Sequence, residues 1–349
     1  MFFASDNWAG AHPNIVAGLS ANAGGYSTAY GDGALDQAVY QRFNEIFERE
    51  VAVFFVATGT AANSLALTAY NKPGGISFAH RESHVIEDEC GAPSYFSGGS
   101  RLHEIDGALG KVDPHNLERT IGRFAPEIVH WGRPMAVSIT QSTEVGTVYG
   151  LHEIETISAI AKQHSVPLHM DGARFANALV ALDTTPAEMT WKRGVDILSF
   201  GGTKNGCWCA EAIVLFDPDR AKELAFLRKR AAQLFSKSRF VAAQFEAYFK
   251  DGLWLDTARH ANAMAARLAA AIEDSATAKL AWLPQANEVF AVIKKAEAER
   301  LQAAGAAFYD WNRPHGFDGH ISEDELLYRF VTSFATTAED VDRFGLMLA

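Results

Sequence analysis

The chain predicts an α/β fold: a large domain on a three-layer, mostly parallel sheet, then a smaller C-terminal α+β domain. Three observations predict it. Short β-branched and aromatic runs alternate with amphipathic stretches over the first two thirds, the order that stacks helices on both faces of a parallel sheet. Near residue 250 the order changes to helix, strand, helix, strand, helix. The 349 residues also exceed the ~150 of one typical domain. The expected boundaries are 1–249 for the large domain, whose N-terminal segment lies over its site, and 250–349 for the small one.

Each element has a local reason. The first thirty residues are rich in Gly, Ala, Ser and Asn and read as a covering loop. Residues 35–50 form a helix, because Leu35, Val39, Phe43 and Ile46 share one face. Residues 51–56 are a buried strand by β-branched and aromatic content. Thr58-Gly59-Thr60 opens a helix to about Tyr70, which Asn71-Lys72-Pro73-Gly74 ends. Strands follow at 76–79, 135–140, 166–170, 197–200 and 212–216, with helices beginning at 83–91 and spanning 151–164 and 173–182. Residues 219–249 read as one long helix, or two with a break near 236–238. Beyond them come helix 256–274, strand 289–293, helix 296–304, strand 327–333 and helix 338–348.

Composition narrows the class. The chain is 48% hydrophobic and 21% charged, with a net charge of −11. That charge disfavours nucleic acid and anionic membrane as partners, since both select a basic face. Three cysteines, Cys90, Cys207 and Cys209, form neither a disulfide framework nor a zinc set. The N-terminus lacks a basic and an apolar leader region, and no apolar run approaches the ~18 residues of a span. The expected location is the cytoplasm.

The chemistry sits at strand ends, where open α/β sheets bind ligands. Thr58-Gly59-Thr60 is a strand-to-helix turn whose free amides and dipole suit a phosphate, although a plain helix cap has the same form. Leu168-His-Met-Asp171-Gly-Ala-Arg174 ends a strand with a carboxylate and a guanidinium. Phe200-Gly201-Gly202-Thr203-Lys204 ends the next with a lysine among glycines. A carboxylate to hold a pyridinium nitrogen and an amine to form an imine are what pyridoxal phosphate requires of a protein. His84 and His130 lie near strand ends and are candidates for ring stacking and proton transfer.

The chain resembles the low-specificity L-threonine aldolases, within the aspartate-aminotransferase-like fold type I pyridoxal-phosphate enzymes. The likeness runs nearly end to end. It is carried by Phe3-Ala-Ser-Asp-Asn7, Thr58-Gly-Thr-Ala-Ala-Asn63, Ser83-His84 with Glu89, His169-Met-Asp-Gly-Ala-Arg174, Phe200-Gly-Gly-Thr-Lys204 and Arg329-Phe-Val-Thr-Ser333. It implies that Lys204 forms the imine with the cofactor, Asp171 holds the pyridine nitrogen, His84 stacks on the ring, and Gly59 and Thr60 bind the phosphate. It implies that Ser5, Arg174 and Arg329 hold the substrate carboxylate, Arg174 also having the cofactor's phenolic oxygen in reach, and that His130 lies near the side-chain pocket. Lys237 and Arg239 are candidates for a phosphate ligand given to a neighbouring subunit, and Tyr30 for a residue reaching a neighbour's site. The implied assembly is a homotetramer or dimer, and the implied reaction is cleavage of β-hydroxy-α-amino acids to glycine and an aldehyde. Another pyridoxal-phosphate reaction on the same fold and a non-catalytic binding relative are the alternatives.

Overall fold

The computed structural model describes residues 1–124 and 127–348. The larger sheet holds seven strands: β1 (Ala52–Val56), β2 (Gly75–His80), β3 (Arg101–Ile105), β4 (Arg133–Thr140), β5 (Leu168–Gly172), β6 (Ile197–Gly201) and β7 (Glu211–Leu215). Their order is β1-β7-β6-β5-β4-β2-β3. Strands β3, β2, β4, β5 and β6 run parallel, while β7 lies antiparallel between β6 and β1. Strand β3 had no counterpart in the sequence reading. It is an edge strand, Arg-Leu-His-Glu-Ile, mostly open to solvent, so no apolar alternation marks it.

Central strands β5, β6 and β7 are buried along their whole length. One face of the sheet rests on aromatic packing. Phe43 meets Phe200, Phe245 and Phe249 edge-on at 5.1–5.5 Å, and Trp254 stands 6.0 Å from Phe200. Each such buried ring contributes ~1.5–3 kcal/mol relative to exposure. The cluster ties helices Ala34–Ile46 and Arg239–Phe249 to β6, and so fixes the strand that ends in Lys204.

The N-terminal segment departs from the expected pattern. Within the expected N-terminal loop, Pro13–Ala21 is a helix. Pro13 suits its first position, and His12 Nδ1 accepts the Asn14 N–H as a cap. It packs on Arg239–Phe249 so closely that a Cβ at Gly18 would stand 3.1 Å from the Ala243 carbonyl oxygen. The stretch 219–249 takes the two-helix form of the expectation, Ala221–Arg230 and Arg239–Phe249, with a break at 231–238 that includes the expected 236–238.

The second sheet is antiparallel, in the order β10 (Tyr309–Asp310), β11 (Glu325–Val331), β9 (Glu288–Lys294), β8 (Ala278–Leu280). Helices Leu253–Glu273 and Ala338–Leu348 cover it. The chain's first residues, grouped with the large domain by the sequence reading, join this core instead. The Phe3 N–H donates to the Ala307 carbonyl and its own carbonyl accepts from Val331 N–H. The Phe3 ring packs against Phe330 and Phe344. This anchorage carries Asp6 to the rim of the larger sheet. No helix among the described residues is long and apolar enough to cross a membrane.

Candidate active site

A cavity of about 280 Å³ opens at the carboxyl ends of the parallel strands, lined among others by Thr58, Gly59, Thr60, His84, Asp171, Arg174 and Lys204. The strand-to-helix turns the sequence singled out thus meet in one place. Lys204 is half-buried in a short turn, Thr203–Asn205, directly after β6. The glycines before it are set by close approach: a Cβ on Gly201 would stand 2.7 Å from the Ala173 carbonyl oxygen, and one on Gly202 2.8 Å from that of Ala210.

Asp171 is buried and its carboxylate is fixed on both sides. Ala173 N–H donates to Oδ1 at 3.0 Å, and Asn63 Nδ2 donates to Oδ2 at 2.7 Å. Asn63 Nδ2 also donates to Glu89 Oε1 at 2.8 Å, and that oxygen meets His84 Nδ1 at 2.9 Å. The chain Asp171–Asn63–Glu89–His84 therefore orients the imidazole and raises its affinity for a proton, chiefly through the Glu89 hydrogen bond. Within β5, His169 is held between the Ser138 and Ser199 hydroxyls of the neighbouring strands, and burial pushes it down to about 4, so it stays neutral.

Thr58 caps helix Gly59–Thr68, its hydroxyl accepting from Ala61 N–H. The Gly59 and Thr60 amides head the helix beside the cavity, where the dipole favours an anion. Nothing lies within 4 Å of where a Gly59 side chain would begin, so this space is free for a ligand. An anion cradle, a fixed carboxylate and a lysine amine around one cavity fit the donors and charge that pyridoxal phosphate requires.

The carboxylate clamp differs from expectation. Arg174 is already engaged: Nε and Nη2 donate to Asp6 at 2.8 and 3.0 Å, and Nη1 lies 3.4 Å from Glu288 Oε2. Burial works against the charges of this pair, but mutual attraction outweighs it, keeping Asp6 below and Arg174 above the ordinary range. Arg329, on β11, stacks 4.1 Å over Trp311 with Nη1 3.7 Å from Glu288 Oε1. Ser5 spends its hydroxyl accepting the Asn7 N–H, and it is Asn7 that reaches the cavity.

Other expected residues lie elsewhere. His130 is exposed in the turn before β4, at the opposite end of a strand ~25 Å long from the cavity, so it is no part of the pocket in its own subunit. Tyr30, Lys237 and Arg239 do not line the cavity either; Arg239 Nη1 donates to the Gly24 and Gly25 carbonyls. Conversely, Glu144 and Glu211 line it without having been singled out. Glu144 accepts the His84 backbone N–H and Glu211 the Thr203 N–H, and burial pushes both up to about 7. A signal was present for Glu211: like Glu288, it opens a buried apolar strand, where a charge has no packing reason to stand.

The family model described as beta-eliminating lyase matches residues 3–296. A protein of Pseudomonas aeruginosa named low specificity L-threonine aldolase is 42% identical over 88% of both chains. One of the same name from a Pseudomonas species is 40% identical over the same shares. The solved threonine aldolase of Leishmania major superposes with a TM-score of 0.91 at 28% identity, covering 99% of this chain and 98% of that one. The chain belongs to the beta-eliminating lyase family, and its nearly full-length likeness is to that family's threonine aldolases.

Proposed function

We propose that the protein is a pyridoxal-phosphate-dependent aldehyde-lyase that cleaves L-threonine, L-allo-threonine and related β-hydroxy-α-amino acids such as phenylserine to glycine and an aldehyde. The observation that carries this is Lys204, Asp171 and the Gly59–Thr60 helix start on one cavity, in a chain 42% identical to a low specificity L-threonine aldolase. Lys204 would hold pyridoxal phosphate and give it up to the substrate amine, and the group would then supply the electron sink for the pair released when the Cα–Cβ bond breaks. The chain does the rest. Asp171 holds the ring nitrogen, itself held by Asn63 and Ala173. Gly59 and Thr60 amides take the phosphate. His84, kept in place by Glu89, covers the ring and accepts the β-hydroxyl proton, directly or through a water. Arg174 and Arg329 hold the α-carboxylate and so choose which bond at Cα stands perpendicular to the ring.

Lys237, Arg239 and Tyr30 are read as serving a neighbouring copy, in a cytoplasmic homotetramer or dimer whose sites are shared. Their position outside their own cavity supports this, as do Tyr26 and Phe226, large side chains left exposed. The division of the chain near residue 250 is read from the two sheets.

Turnover of L-threonine, L-allo-threonine, D-threonine and phenylserine, side by side, tests the function. Acetaldehyde and glycine from L-threonine are expected. Pyruvate, ammonia or a keto acid in their place would make this a different reaction on the same fold. Absence of both turnover and bound cofactor colour would make it a binding relative.

A further inference from the structure

Two carboxylates share the arginines at the clamp, and they are held differently. Asp6 accepts three hydrogen bonds, from Arg174 Nε, Arg174 Nη2 and Asn287 Nδ2. Glu288, at the start of β9, is fully buried, and neither of its oxygens accepts a hydrogen bond. It stands between Arg174 at 3.4 Å and Arg329 at 3.7 Å, close enough for attraction and too loose to be locked. With both acids ionised, the clamp's two guanidinium groups balance its two carboxylates in the loaded protein, where the Lys204 amine is bonded to the cofactor. A substrate carboxylate would leave it one negative charge in excess, inside the protein, where an uncompensated charge is expensive.

We infer that Glu288 takes up one proton when an α-carboxylate enters the Arg174–Arg329 clamp, and releases it when that carboxylate leaves. The proton comes from solvent and goes to a Glu288 oxygen. The incoming carboxylate takes the Arg174 Nη1 edge that Glu288 now faces, and Glu288, its countercharge shared away, becomes a neutral donor. Asp6 does not titrate, because three hydrogen bonds hold it ionised. The charged groups facing Glu288 are Arg174 beyond β5, Arg329 on β11, Asp6 from the N-terminal turn and Lys204 beyond β6. From the remaining side it meets the backbone turn at Gly146, where a Cβ would lie 2.9 Å from its own. Burial already holds its carboxyl above the usual carboxylate range in spite of the two arginines. Glu288 is thus a positioning residue: it keeps the guanidinium groups apart and their charge balanced until a carboxylate arrives.

The inference rests on the aldolase reading of the clamp, and its test has a readout apart from turnover. The cofactor-loaded protein is titrated calorimetrically with 3-hydroxybutyrate, which is threonine without the amine and cannot bond to the cofactor. Buffers of equal pH and different ionisation heats report the protons taken up. Net uptake toward one proton per site is expected, with affinity falling about tenfold per pH unit once Glu288 is ionised in the free protein. In E288Q the uptake vanishes and affinity becomes flat with pH. Glycine provides the second measurement: proton changes tied to the cofactor are common to both proteins and cancel in the difference. No uptake by the wild-type protein, or equal uptake in E288Q, overturns the inference. If L-threonine is still cleaved in that case, the loss falls on Glu288 alone and the aldolase function stands.

Discussion

The two halves of the candidate site are built in opposite ways. The cofactor half is made of strand ends along one edge of one sheet: the turn after β1, Asp171 in β5, and Lys204 after β6. Each piece is a short motif whose residues act where they stand. The carboxylate half is gathered from three distant segments: the N-terminal turn with Asp6, the β5 exit with Arg174, and the second sheet with Glu288 and Arg329. The first half places single functional groups around open space. The second is a buried ionic cluster whose charges attract one another before any substrate arrives. The cofactor half therefore sets what chemistry is available, and the carboxylate half couples recognition to the joining of the two sheets.

The largest expected effect separates the halves most cleanly. Lys204→Ala should cost on the order of 10³-fold or more in threonine cleavage and abolish the visible absorbance of the bound cofactor. Its thermal midpoint in the absence of cofactor should stay close to that of the parent, because Lys204 is half-buried and anchors no cluster. A cofactor-free variant that melts far below the parent would mean that the cofactor half is also structural, and the contrast would collapse.

Asp6→Asn probes the other half. It leaves a buried guanidinium with only Glu288 at 3.4 Å as counter-ion. Breaking a buried pair from one side costs ~3–5 kcal/mol, so the denaturation midpoint should drop while cofactor absorbance survives. The KM for L-threonine should rise more than kcat falls. Unchanged stability would show that Asp6 does not clip the N-terminal segment to the rim.

The same contrast explains what was legible in the sequence. Strand-end motifs such as Phe200-Gly-Gly-Thr-Lys204 carry their geometry locally, since the close approaches at Gly201 and Gly202 leave little else possible. Alternating strands and helices then imply that such ends meet. Nothing local in Ser5-Asp6-Asn7 says that Asp6 will face Arg174, 168 residues away. That contact depends on Phe3 packing in the second sheet, a tertiary fact. Edge strand β3 escaped for a related reason: exposed, it needs no apolar pattern. His130 precedes β4 and so stands at that strand's amino end, whereas the cavity opens at the carboxyl ends.

A pH-dependent effect concerns Glu144 and Glu211, which burial pushes from 4.5 to about 7. Between those values the folded chain keeps a proton that the unfolded chain has lost. Stability of the cofactor-free protein should therefore fall as pH rises from 4.5 to 7, by about 1.4 kcal/mol per pH unit for each group. Glu211→Gln should flatten that slope in urea titrations at several pH values. An unaltered slope would mean that water reaches Glu211 and that the cofactor half is less enclosed than its lining suggests.

The smallest effect is expected at His130, and it tests the boundary of both halves. The residue is exposed, three positions before β4, while the cavity is lined by Thr140 at the far end of that strand. Within one subunit a proton cannot pass between them. His130→Ala should leave kcat and KM for L-threonine and phenylserine within about twofold and stability within ~0.5 kcal/mol. A rise in KM confined to phenylserine would carry a different meaning: the imidazole would then act across a subunit boundary on the substrate's side chain. The site would gain a third part, made of neither sheet of its own chain, and the same dilution that separates subunits should abolish the difference between His130→Ala and the parent.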